Sequence, residues 1–234
     1  MPQEYNVESF LSTKQLNHQS VSLIIPRLTR ERIHNAMYYK TNLNTVAMRG
    51  DTMNSLAKVI VRDLGTLTEK SINQANILGG VEFNCLLMKM VELRPTWEQL
   101  SIMLQGDNTQ IFNNKYIVAL VLTYLRIQYF FLQKDDALAK DLRNTFSERL
   151  NDYRKLKSVS MNMDCWSLSQ RPEISIVHMD ELVEWLATQR EIWGIPLGKC
   201  QWCQIFEEDN VSTEDESESE SESGSESRSE SETD

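Results

Sequence analysis

The sequence predicts an all-α fold, a single multi-helix domain with one small β-hairpin and a disordered acidic C-terminal tail. Three observations carry that expectation. Apolar residues recur at helical spacing through most of Met1–Phe206. The period shortens to two only between residues 163 and 178. Beyond Phe206 apolar residues all but stop, Val211 being the one in the last 28 positions, which is too little apolar surface to offset ordering entropy. The expected division is residues 1–206 for the helical domain and 207–234 for the tail.

The elements follow in order. Pro26 suits the first turn of a helix, where its missing N–H would be unpaired anyway, and Thr29, Ile33, Ala36, Met37 and Lys40 continue the helical spacing behind it. Val46 to Leu64 is a second helical run. Gly79-Gly80 breaks the chain before a third, Val81 to Leu93, which Pro95 ends. Thr96 starts a short helix with Trp97, Leu100, Met103 and Leu104 on one side. Asn114 to Gln133 is apolar on nearly every face and is therefore expected at the centre. From Asp135 to Lys157 the stripe Leu138, Leu142, Phe146, Leu150, Tyr153, Leu156 predicts an amphipathic helix. Met163–Leu168 and Ile174–His178, separated by Ser169–Pro172, predict the two strands of the hairpin. Helical spacing returns with Met179, Leu182, Val183 and Leu186 and stops near Gly194 and Pro196. No internal repeat is present.

Charge separates the two regions. The net charge is −10, yet residues 207–234 hold 13 acidic residues against one basic, Arg228. That leaves 21 acidic and 23 basic residues in Met1–Phe206, a nearly balanced body. The pI of about 4.9 thus describes the tail. A body of this length and apolar content can bury one core. A wholly disordered chain, a collagen-like chain and a small disulfide scaffold are excluded. Four cysteines, with neither the basic start nor the apolar run of a signal peptide, point to a reducing compartment. The most apolar stretch, Tyr116–Leu132, is interrupted by Arg126 and Gln128. Since a bilayer span takes about 20 apolar residues, it reads as a core helix and no membrane contact is expected.

Cys200-Gln201-Trp202-Cys203 is a C-x-x-C that could hold half of a zinc site, with Cys165 and His178 as the other ligands, or form a redox pair. Simple packing of an extended segment accounts for it as well, and no second C-x-x-C supports the metal. Of three histidines, His34 sits among charged residues and reads as a surface side chain, while His178 reads as capping or packing under the helix that follows it. Asp135-Asp136 and Asp180-Glu181 fit helix N-termini, where the dipole favours them. No phosphate-binding glycine loop and no catalytic constellation emerge. Arg27, Arg30 and Arg32, followed by Tyr38, Tyr39 and Lys40, form one basic and aromatic cluster, and Tyr153, Arg154, Lys155 and Lys157 another. Either could contact phosphates and stack on bases. A nearly balanced body argues against an autonomous nucleic-acid binder, and solvated helix faces explain most of these residues. Trp193 and Trp202, with Ile195 and Leu197, could anchor a partner or pack back onto the body. Ser217, Ser219, Ser221 and Ser223 alternate with glutamates, a context for acid-directed phosphorylation.

Four blocks of the chain resemble the pre-mRNA-splicing factor 38 family: Ile24–Ile33 leading to Tyr38-Tyr39-Lys40, Leu78–Phe83 with Cys85–Met90, Asn151–Lys157, and Val177–Leu182. They stand in the family's order across residues 20–200. The resemblance implies an all-helical, non-enzymatic nuclear protein without cofactors, associated with the tri-snRNP and needed for the change from precatalytic to activated spliceosome. It implies a zinc-finger splicing protein, a microfibrillar-associated-protein-like splicing factor and large tri-snRNP proteins as partners, with snRNA or pre-mRNA contact inside the assembly left open. Long family members end in Arg/Ser repeats; this chain ends in Ser/Glu, as shorter members do. The Cys200/Cys203 pair belongs to none of these blocks.

Overall fold

The computed structural model describes residues 15–16, 19–20, 24–43, 50–64, 76–105, 111–129, 137–161, 165–166 and 172–198. Among them are eight helices: α1 (Arg27–Asn35), α2 (Met37–Asn42), α3 (Met53–Leu64), α4 (Val81–Leu93), α5 (Trp97–Gln105), α6 (Lys115–Tyr129), α7 (Ala137–Arg149) and α8 (Met179–Thr188). Strands β1 (Gln15–Leu16) and β2 (Gln19–Ser20) pair near the start, β3 (Lys155–Val159) pairs with β4 (Ile174–His178), and β5 (Glu191–Ile192) pairs with β6 (Ile195–Pro196), all antiparallel.

Two helices make the centre. Every residue of α4 from Phe83 to Glu92 is buried, and so is every residue of α6 from Tyr116 to Ile127. α6 packs against α3, α4, α5, α7 and α8, while α4 also meets α1 and α2. The all-round apolar composition of α6 requires this position, because any exposed face would leave apolar surface in water. Its one charged residue beyond Lys115 is Arg126 in the last turn, and it is wholly buried. The guanidinium donates to the carbonyl oxygens of Leu186 (2.7 Å) and Gly198 (3.2 Å), joining the end of α8 to the strand pair beyond it. Among the described residues no helix is long and apolar enough to cross a membrane.

Local chemistry sets several boundaries. At α5 the Gln99 amide donates to Thr96 Oγ1 (3.4 Å) and Gln99 Oε1 accepts from the Thr96 amide (3.1 Å), a reciprocal cap. Asn114 Oδ1 accepts from the Tyr116 amide (2.8 Å) and starts α6. At the β5–β6 turn, Trp193 and Gly194 have φ of 51° and 76°, the pair of left-handed residues that a tight hairpin turn requires.

Four expectations are corrected. The first helix does not run from Pro26 through Lys40: Ala36 is extended (φ −61°, ψ 137°), and the turn it makes exposes Met37 at 78% while burying Tyr39 to 1%. The amphipathic helix ends at Arg149, not at Lys157. The strand opposite Ile174–His178 is therefore Lys155–Val159; of Met163–Leu168 only Cys165 and Trp166 are described, and they form a turn. The last helix stops at Thr188, ahead of Gly194 and Pro196, which instead belong to the β5–β6 pair.

Candidate protein-interaction surface

The β3–β4 ribbon is fixed from behind. On the side of β3 away from β4, Leu78 donates to the Lys157 carbonyl (2.8 Å) and accepts from the Val159 amide (2.9 Å). The Lys157 amide donates to Tyr116 Oη (3.0 Å) and Lys115 Nζ donates to the Lys155 carbonyl, so both attach β3 to the start of α6. Strand alternation sends Leu156 and Val177 inward, 1% and 3% exposed. It sends Lys155 and Lys157 outward with Ile174 and Ile176, which are 49% and 66% exposed.

The turn that feeds β3 is organised by Asp152. Its carboxylate accepts from Arg154 Nε (2.9 Å) and Nη2 (2.6 Å) and from the Arg154 amide (3.2 Å), and Arg149 approaches at 3.8 Å. Burial alone would raise this carboxyl; the bonds from Arg154 outweigh it and hold it below the usual Asp range. The Asp152 carbonyl accepts from the Asp180 amide and the Arg154 carbonyl from the Met179 amide, both at 3.1 Å. His178 closes the join: its amide donates to Glu181 Oε2 (3.4 Å), and its Nδ1 lies 3.1 Å from Glu181 Oε1 at the start of α8. Tyr153 projects from this turn, 66% exposed. Beside it a cleft of about 400 Å³ is lined by Leu104, Phe112, Val118, Arg149, Asp152 and Arg154. Phe112 also lines an apolar groove of about 460 Å³ with Ala57, Val61 and Ile111, rimmed by Lys58 and Arg62.

The first basic cluster is not brought together. Arg27 is exposed and pairs with Glu31 (2.8 Å), Arg32 is half-buried and Lys40 is exposed. Arg30 is 5% exposed and donates to the Ile25 carbonyl (3.4 Å). Tyr38 donates to Asp63, which also accepts from Arg62 (2.6 Å). Burial, and then Asp63, push its phenol far above the usual value. Arg30 and Tyr39, being buried, present nothing to a phosphate or a base. Trp193 is a core residue, 3% exposed, with its indole N–H directed to the Val159 carbonyl (3.3 Å) and its ring edge-on to Phe83 at 5.4 Å. Cys165 Sγ lies 3.6 Å from Asn84 Nδ2. Cys200, Trp202, Cys203, Ser217, Ser219, Ser221 and Ser223 lie outside the described residues.

One group escapes the sequence reading. His34 is buried rather than on the surface, 4% exposed, with Nε2 2.9 Å from Glu92 Oε1. Tyr39 Oη donates to both Glu92 oxygens at 3.0 Å, and Lys89 Nζ pairs with Oε2 at 3.0 Å. Burial opposes ionisation of Glu92, but the bonds from His34 and Lys89 prevail and keep its carboxyl below the usual range. The legible signal was the Lys89–Glu92 spacing of three inside an otherwise apolar helix. This network ties α1 and α2 to α4, joining the Ile24–Lys40 and Leu78–Met90 blocks. The ribbon joins the other two blocks, Asn151–Lys157 and Val177–Leu182.

All four blocks fall inside one family match. The PRP38 family model covers residues 14–210. The chain belongs to the PRP38 family. Pre-mRNA-splicing factor 38 of Saccharomyces cerevisiae is 48% identical over 218 residues, 90% of each chain. A chain of the Snu23–Prp38–MFAP1(217–258) complex of Chaetomium thermophilum shares the fold, with a TM-score of 0.57, 22% identity and coverage of 85% of this chain and 86% of that one.

Proposed function

We propose that this PRP38-family chain is a non-enzymatic nuclear component of the spliceosome, a scaffold that docks splicing proteins and is required for the precatalytic-to-activated transition. The observation that carries the reading is the 48% identity, over 90% of both chains, to a yeast pre-mRNA-splicing factor. The interior supports a scaffold: the buried ionisable groups His34, Lys89, Glu92 and Arg126 all bind one another or backbone carbonyls, and they tie helices together. The surface supports docking, with a cleft and an apolar groove meeting at Phe112 and the outward face of the ribbon close to the same turn. The fold neighbour from C. thermophilum is a chain of the Snu23–Prp38–MFAP1(217–258) complex. The counterparts of these proteins, a zinc-finger splicing protein and a microfibrillar-associated-protein-like factor, are the partners we assign, with large tri-snRNP proteins as further ones.

In this reading residues 1–206 form the docking body, and the acidic residues 207–234 carry phosphorylation sites at Ser217, Ser219, Ser221 and Ser223. Cells depleted of the protein accumulate assembled but unactivated spliceosomes, read by native fractionation and RNA sequencing. Accumulation of unassembled particles instead overturns the activation role. Affinity purification with mass spectrometry tests the partner set, and intact mass of the native protein tests the serines.

A further inference from the structure

The hydrogen-bond directions in β3 decide which groups of β4 remain at its outer edge. Leu78 takes the Lys157 carbonyl and the Val159 amide, so the polar groups of Leu156 and Ser158 face β4. The register places Leu156 opposite Val177 and Ser158 opposite Ser175, and these two β4 residues turn their amides and carbonyls back to β3. The amides and carbonyls of Ile174 and Ile176 therefore point outward. His178 agrees, since its amide, in the same phase, leaves the ladder for Glu181. Among the described residues no strand pairs with this edge.

Soluble proteins protect open strand edges with charges, prolines or bulges along the strand. Within its five residues β4 carries no acidic residue, lysine, arginine, proline or bulge; its side chains on the outward face are Ile174 and Ile176, 49% and 66% exposed, and the half-buried His178, which is held by Glu181. The same face bears Lys155 and Lys157, with Lys157 directly across from Ile176. The face is thus a strip of apolar surface bordered by positive charge, attached to an unpaired backbone edge.

We propose that the outer edge of β4 accepts an extended segment of another protein as a third strand of the ribbon, a segment that carries apolar and acidic residues on one and the same face, at every second position. Main-chain bonds to Ile174 and Ile176 supply the pairing. Apolar side chains of the incoming strand cover the two isoleucines, at cross-strand distances of about 5 Å. A strand added here runs about 10 Å from β3, within joint reach of a lysine and a glutamate, so acidic residues on the same face as the apolar ones meet Lys155 and Lys157. The charge of this face selects the acidic partner. The proposal deepens the scaffold reading, which does not depend on it.

The test uses the full chain and a short peptide in which every second residue is valine or glutamate and the residues between are threonine, so that valine and glutamate share a face, followed by fluorescence anisotropy at moderate salt. The expected result is saturable binding that is lost when the peptide is N-methylated at alternate residues. Ile176→Pro removes only an outward amide, which β3 does not use, so the variant keeps the wild-type melt and binds the peptide at least about tenfold more weakly. Lys155→Glu with Lys157→Glu reverses the preference toward a valine–lysine peptide. Equal binding by Ile176→Pro, binding that survives N-methylation, or no binding by the wild-type chain overturns the proposal. So does a uridine oligonucleotide that binds through Lys155 and Lys157 while the peptide does not. Splicing partners that still co-purify with a chain failing these tests leave the scaffold reading standing and remove strand addition alone.

Discussion

Replacing Gly79 with alanine probes the packing that closes the Leu78–Phe83 block over the core. Gly79 has φ of 70°, a left-handed conformation that costs a residue with a Cβ about 1–2 kcal/mol. The added methyl would sit 2.3 Å from Trp193 Nε1 and 2.4 Å from its Cδ1. These atoms belong to a rigid ring, held by Phe83 on one side and by the Val159 carbonyl at its N–H. Displacing it adds an overpacking cost of about 1–3 kcal/mol. A total of about 3 kcal/mol lowers Tm by roughly 6–12 °C for a body of this size. Trp193→Ala alone costs about 3–5 kcal/mol. In that background the ring is gone, and Gly79→Ala retains only its conformational cost of about 1–2 kcal/mol. Urea melts of the wild type, both single variants and the double variant give the coupling, expected near 2 kcal/mol. An equal cost for Gly79→Ala in both backgrounds refutes the contact.

Glu92→Gln leaves the buried Lys89 ammonium without a charged partner and costs about 3–5 kcal/mol in urea. Because the folded carboxyl of Glu92 is held below its ordinary value, its contribution is present above about pH 4.3 and fades as pH falls through the lower folded value. The urea midpoint of the wild type therefore drops on acidification, and that of the variant drops less. Asp152 titrates in the same sense; Asp152→Asn leaves the Arg154 guanidinium, partly open to solvent, without its carboxylate partner and costs about 1 kcal/mol. Arg126→Met leaves the Leu186 and Gly198 carbonyls without a donor at about 1–3 kcal/mol each, and limited proteolysis shows earlier cleavage around β5 and β6.

The parts of the fold written locally in the chain were readable. α4 runs over Val81–Leu93 as expected because glycines precede it and a proline follows. β4 and the start of α8 coincide with a switch of period. The failures come from long-range partners. Leu150, Tyr153 and Leu156 keep helical spacing past Arg149, but Leu156 is buried through strand pairing and Tyr153 not at all. The alternation Lys155-Leu156-Lys157 is only three residues long, because Ser158 and Val159 break it, and it does not compete with the longer helical pattern. His34 stands among charged neighbours in sequence, and only the turn at Ala36 and the distant Glu92 place it inside. Of the surface, Tyr153, Lys155 and Lys157 were legible as a cluster, whereas the open edge beside them depends on which strand Leu78 joins.

The covering of α4 has a temporal consequence. Trp193, which lies over Gly79 at the head of this helix, follows Leu93 by about a hundred residues. At a synthesis rate of about 5–20 residues per second, the nascent polypeptide carries an incompletely covered apolar helix for roughly 5–20 s. During that interval it is a substrate for ribosome-associated chaperones, and slowing translation between the two segments lengthens the exposure.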